Sequence, residues 1–253
     1  MRVSFRFLAT VTLAALTSLP ETKAADWYTG VPTDGTPAPR APRVAIDVAI
    51  DGTSQRALSG ALIGTIAPFT AMDRSGMRVR LSGLAGTYVY APSNPFLGEI
   101  HGTIVGGAFL FGYEWVFKRA TVALYAGGEV VNTSLSPNDP NNSAKGGSGG
   151  LKLAADFFTT PTDQTMIAGV LSYSTNYNSY YGRLKFGMAL SDHVYVGPEV
   201  VALGDNFFQQ WRLGGHVSGL RFGALQFGAA AGFLNDRVRG GGVYGTLDTR
   251  VTF

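Results

Sequence analysis

Residues 180–190 read YYGRLKFGMAL, and the fold turns on how this stretch is divided. Taken in twos, Tyr180, Leu184, Phe186, Met188 and Leu190 fall on one face, and Tyr181, Arg183, Lys185, Gly187 and Ala189 on the other. A period of two is the mark of a β-strand, here with one oily and one charged side. The same division runs outward in both directions. Residues 194–202 set Val194, Val196, Pro198 and Val200 against Tyr195, Gly197, Glu199 and Val201. Residues 207–217 set Trp211, Leu213 and Val217 against Gln210, Arg212, Gly214 and His216. The final segment sets Val243, Leu247, Val251 and Phe253 against Tyr244, Thr246, Asp248 and Arg250.

Counting such runs with their turns gives about twelve strands, near 44–51, 57–67, 77–90, 99–115, 120–132, 149–159, 164–174, 179–190, 193–203, 207–218, 223–234 and 240–253. An even number of antiparallel strands returns the chain to the side it started from, as bacterial outer-membrane barrels require. Many runs exceed the roughly nine residues that span a bilayer, and no Lys or Arg interrupts the apolar face of the last five. A soluble β-sandwich or lipocalin-like barrel also alternates, but it places the apolar face inward and the charges outside. The expected fold is therefore all-β: a closed antiparallel transmembrane β-barrel. With the N-terminus in the periplasm, the odd connections lie outside. The longest, residues 134–148, is the fifth, while the turns near Lys118, Asp192 and Arg221 are short and even-numbered.

Composition agrees. The 253 residues hold 34 glycines, no cysteine and only 15% charged side chains, with 45% hydrophobic and 12% aromatic content. That excludes a disulfide framework and an intrinsically disordered chain. Arg2 and Arg6 precede an apolar stretch from Phe7 to Leu19 and small residues before Ala24, so residues 1–24 read as a signal peptide. Residues 25–42, with four prolines, read as a short periplasmic N-terminal linker, and 43–253 as the outer-membrane β-barrel. Cleavage would remove Arg2, Arg6, Lys23 and Glu21, leaving 17 basic against 16 acidic residues. A near-neutral chain without a basic patch gives no support for nucleic acid as a partner.

The inward rows collect the charged candidates for lining a pore: Asp47, Arg78, Arg80, Glu114, Glu129, Lys152, Asp156, Arg183, Lys185, Glu199, Arg212, Asp248 and Arg250, together with His216. Their near-balance suggests a network paired across the interior, since an unpaired charge in a narrow lumen is costly. Structural packing and a pore-lining or binding role both fit. Tyr88, Tyr90, Tyr181, Phe208 and Tyr244 fall inward near the outer mouth, where rings stack on sugars or shield glycines in the wall. Trp115, Tyr173, Phe186, Trp211, Phe227 and Phe253 fall outward as a lipid girdle. Catalysis is not expected: His101, His193 and His216 sit in no nucleophile motif, and Ser191-Asp192-His193 reads as a hairpin turn. No metal cluster or phosphate loop is legible, and no cofactor is implied.

FGYEW at 111–115, GPE at 197–199, DWYTG at 26–30 and the closing aromatic resemble the cellulose biosynthesis protein BcsS family. The likeness spans nearly the whole chain after residue 24. It implies an exported barrel in the outer membrane of a Gram-negative bacterium that assists cellulose production, as a glucan export conduit or as an envelope anchor of the synthesis machinery. Besides outer-membrane lipid, the partners it implies are a cellulose or β-glucan chain and periplasmic cellulose-synthesis components. A closed structural or adhesion barrel and a generic small-solute porin are the alternatives.

Overall fold

The computed structural model describes residues 42–92, 98–140 and 142–253. The expected signal peptide and nearly all of the expected linker lie outside these residues. Twelve strands, among the described residues, form the barrel: β1 Val44–Thr53, β2 Ala57–Ile66, β3 Gly76–Tyr90, β4 Ile100–Val116, β5 Ala120–Ser136, β6 Gly146–Thr162, β7 Thr165–Ser174, β8 Tyr180–Ser191, β9 Val194–Gly204, β10 Gln209–Phe222, β11 Leu225–Asp236 and β12 Gly240–Thr252. Each pairs antiparallel with its sequence neighbours, and β1 closes the ring on β12. Arg43 and Val44 N–H groups donate to the Phe253 carbonyl, so first and last strands meet at one end. Closure pairs the strand backbones around the whole ring, which hydrocarbon demands.

Alternation does the sorting. Along β8 the exposed outward row Tyr180, Leu184, Phe186, Met188, Leu190 faces away from buried Arg183, Lys185 and Gly187. Leu62, Leu81, Leu124, Val130, Leu151, Leu153, Leu213 and Leu247 are all at least half exposed, an inverted pattern for a water-soluble protein. The charges are inside and the oil outside, and a base moved onto that outer face at mid-bilayer would cost about 2–4 kcal/mol.

Two connections depart from the sequence expectation. The fifth begins at 137 and ends at 145, not 134–148, because Ser134–Ser136 still pair with His101–Thr103 and Gly146–Ser148 with Val131–Thr133. Proline, asparagine and glycine around this loop read as a break, yet the neighbouring ladders carry the strands through. Second, the turn beside Arg221 is displaced: Arg221 pairs with Gln226 inside the sheet, after a bulge between Ser218 and Leu220 at Gly219, whose φ is 91°. The second connection, residues 67–75, where the strand count leaves 68–76 between strands, is a folded loop. Its Ala67 and Met72 pack with Ala45 as a buried cluster, and the Ala67 and Met72 N–H groups donate to the carbonyls of Arg43 and Pro42. This loop folds onto the end of the barrel that carries the termini.

At the opposite end β3 to β6 rise above their neighbours. The β2–β3 ladder stops at Leu58 and Thr87, and the β6–β7 ladder at Lys152 and Ser174, while β3 pairs with β4 as far as Tyr90 and Ile100. The outward residues of this projection, His101, Thr103, Asn132, Ser134 and Ser136, are exposed and polar, which places it above the lipid.

Candidate functional site: the barrel interior and its outer mouth

The register turns the inward rows into a three-dimensional constellation. Arg80 on β3 reaches Asp156 on β6, three strands round the ring, and its guanidinium lies 3.7 Å from the Tyr125 ring centroid. Arg183 and Lys185 on β8 donate to Asp248 on β12 at 3.0 and 3.1 Å, and Arg183 Nε also donates to Glu199 at 2.6 Å. Tyr244 on β12 donates to the other oxygen of Glu199 at 3.0 Å. Arg212 on β10 forks onto both oxygens of Asp51 on β1 at 2.6 and 3.0 Å. Neighbouring strands are joined by Arg78–Glu114 at 2.6 Å, Lys152–Glu129 at 2.5 Å and Arg250–Asp47 at 3.6 Å. The chords from β3 to β6, β8 to β12 and β10 to β1 cross the interior, and a bidentate fork such as Arg212 on Asp51 adds direction to charge.

These charges are buried, not merely lumenal: Arg78 and Glu199 are 0% exposed and Lys185 2%. A cavity no larger than a water molecule lies among Thr65, Met72, Arg80, Glu114, Thr121, Tyr125, Asp156 and Arg250. Below it, Arg78 holds the 67–75 loop. Its side chain donates to the carbonyls of Arg74 at 2.7 Å and Ala71 at 3.4 Å and to Thr70 Oγ1 at 3.2 Å.

His216 repairs a local break. Counting from the Lys185–Glu199 pair, Phe186 faces Pro198, which has no N–H to give. The Phe186 carbonyl turns inward over Gly197, where a Cβ would collide with it, and meets His216 Nε2 at 3.1 Å. A carbonyl only accepts, so Nε2 carries the hydrogen. His216 Nδ1 lies 3.0 Å from Ser218 Oγ, itself buried. The pair serves the wall: Nε2 is spent on backbone, and Ser218 is buried.

All thirteen charged candidates and His216 point into the interior, and the structure brings them together in the clusters above. The aromatic candidates separate. Tyr88 and Tyr90 stack on the projecting wall, with centroids 6.1 Å apart and planes at 26°. Tyr181 lies across the mouth and is 36% exposed. Phe208 sits in the turn before β10, not on the strand, where its N–H and that of Phe207 donate to Asp205. Tyr244 is buried beneath Arg212. Sequence reasoning missed Asp51, Asp236, Tyr125 and the 67–75 loop. Asp51 shares the parity of Asp47, a signal that was there to be read, and Asp236 lies just past the expected end of β11.

A closed ring of twelve antiparallel strands with an oily exterior, ionised interior and both termini at the end bearing mostly tight turns is an outer-membrane β-barrel. It resides in the outer membrane of a Gram-negative bacterium. Solved outer-membrane proteins share the architecture. A channel from Pseudomonas putida matches with a TM-score of 0.50 and 11% identity over 88% of this chain and 100% of its own. The translocator domain of the autotransporter NalP from Neisseria meningitidis matches with a TM-score of 0.50 and 13% identity over 84% of this chain and 89% of its own. At such identities the likeness is one of fold. Residues 45–253 match the cellulose biosynthesis protein BcsS family, and the chain belongs to it. Among curated proteins none matches. The protein is thus a cellulose-related outer-membrane barrel.

Proposed function

We propose that this barrel supports cellulose biosynthesis as a closed envelope anchor for the synthesis machinery, not as a conduit that threads glucan through its lumen. The observation that carries the reading is the set of buried ion pairs joining strands across the interior, Arg80 to Asp156, Arg183 and Lys185 to Asp248, and Arg212 to Asp51. A neutral glucan offers no charge to replace these partners, and stripping one member of a buried pair costs about 3–5 kcal/mol. The 67–75 loop, clamped by Arg78 at the periplasmic end, supports the same reading. A porin would instead keep a hydrated bore.

The test pairs electrical recording with cellulose output. Wild-type protein in planar bilayers is expected to be silent, and Arg80→Ala combined with Asp156→Ala to pass ions. In cells lacking the chromosomal copy, wild type and double variant should restore cellulose equally. Steady conductance of the wild type, or output that rises when the lumen is opened, would overturn the anchor reading in favour of a conduit.

A further inference from the structure

The outer mouth holds a feature that lumen packing does not use. The inner side of the projecting wall carries the stacked pair Tyr88 and Tyr90 with half-buried Ile104 and Leu135, and Leu84 below them is 40% exposed. Tyr181, 36% exposed, faces it from the shorter wall. The Tyr88 ring lies flat against Gly102, so one ring face is backed by the sheet while the side chain stays half-buried. Tyr90 is fixed from its hydroxyl end: it donates to Asp139 at 2.9 Å and accepts from the Asn142 amide at 2.8 Å. Two rings on one strand are thereby held before any ligand arrives, which lowers the ordering cost of binding.

Most charges nearby are paired; among the described residues the exposed exceptions are Lys145, whose ammonium meets the Asn138 amide oxygen at 2.5 Å, and Arg237. Arg56 forks onto Glu99 at 2.8 Å, and Arg239 binds Asp236 at 3.0 Å. Asp205 accepts two backbone N–H groups. The mouth therefore offers ring faces, an amide and apolar wall, with Lys145 and Arg237 as its exposed cations and no dense basic array, which suits a neutral sugar better than an acidic polysaccharide. We infer that this extracellular cup, floored by the closed lumen, binds a neutral β-linked glucan chain on Tyr88, Tyr90 and Tyr181. The inference rests on the anchor reading, because a dead-ended cup holds a chain at the surface where an open bore would pass it.

Full-length protein in lipid nanodiscs is titrated with cellohexaose and, separately, with an acidic oligogalacturonate of similar length. Saturable cellohexaose binding is expected. Tyr181→Ala should weaken it about tenfold, the combination with Tyr88→Ala further, and Tyr90→Phe less than Tyr90→Ala, because the ring remains while the hydroxyl ties that hold it are lost. Retained resistance to unfolding in detergent gels identifies variants that still form the barrel. No cellohexaose binding by wild type, undiminished binding by Tyr181→Ala in a folded barrel, or equal binding of the acidic oligomer would each overturn the inference. Bilayer recording separates the two claims: a silent barrel that ignores cellohexaose sinks the cup alone, whereas a conducting barrel sinks the anchor.

Discussion

Replacing Asp156 by alanine removes one end of the chord between β3 and β6, and its cost distinguishes a packed interior from a watery one. The two side chains of the pair are 9% and 5% exposed, and Arg80 donates as well to Thr65 Oγ1 at 3.3 Å. Without Asp156 the guanidinium stays buried, its charge met only by the Tyr125 ring, the Thr65 hydroxyl and more distant acids. An uncompensated buried charge costs about 3–5 kcal/mol, whereas losing a solvent-exposed pair costs about 0–1 kcal/mol. Arg80→Met with Asp156→Leu removes both charges at similar volume and should lie within about 1 kcal/mol of wild type, or be more stable. Guanidinium titration of the protein folded in phospholipid vesicles, followed by tryptophan fluorescence, measures all three. A cost below about 1 kcal/mol for Asp156→Ala, with no recovery in the double variant, would refute burial of this pair and with it the packed interior.

Three further outcomes follow from single contacts. Arg78→Ala should release the 67–75 loop, lowering stability by about 3 kcal/mol or more and freeing the backbone at exposed Arg74 for cleavage by added trypsin in barrels opened to the periplasmic side; unchanged cleavage would remove the clamp role. His216→Ala leaves the Phe186 carbonyl without its donor and should cost about 1–3 kcal/mol in the same vesicle titration, with His216→Gln recovering part of it. At the surface, the hydrogen bonds from Arg56 and its charge hold the Glu99 carboxyl below its usual range. The tie between the β1–β2 turn and the approach to β4 is therefore complete above the ordinary carboxylate pKa and lost as pH falls through the lowered value. Protection of the amides at 54–56, corrected for the intrinsic exchange rate at each pH, should fall there while barrel protection persists.

The strands were legible because each inward charge or glycine alternates with an outward apolar residue, as Arg183 and Lys185 do with Leu184 and Phe186. Strand number, parity and the sorting of Trp115, Trp211 and Phe253 to the lipid side follow from that local rule. The loop at 67–75 was not legible as a cap, although apolar Phe69 and Met72 between two strands were the available sign. Glycine-rich 146–148 misled for the opposite reason. Composition marks it as loop, but its backbone is paired by β5, and Gly150 makes room for Thr175 and Asn176. Which acid meets which base depends on register summed over several strands, so Arg80 finding Asp156 or Arg212 finding Asp51 lies beyond any pattern within one strand. Tyr244 illustrates the limit: parity puts it inside, but only the fold shows its hydroxyl spent on Glu199.

The closed interior is tested most directly by chemical access, which the absence of cysteine makes simple. Single substitutions Ala168→Cys and Ala230→Cys place a thiol inside the barrel, at positions 4% and 7% exposed, and Tyr181→Cys places one at the mouth. Folded protein in vesicles is treated with a bulky, water-soluble maleimide. Labelling at 181 within minutes, with 168 and 230 unmodified until the barrel is denatured, is the predicted result; modification of 168 and 230 as fast as 181 would contradict a barrel sealed by its own charges.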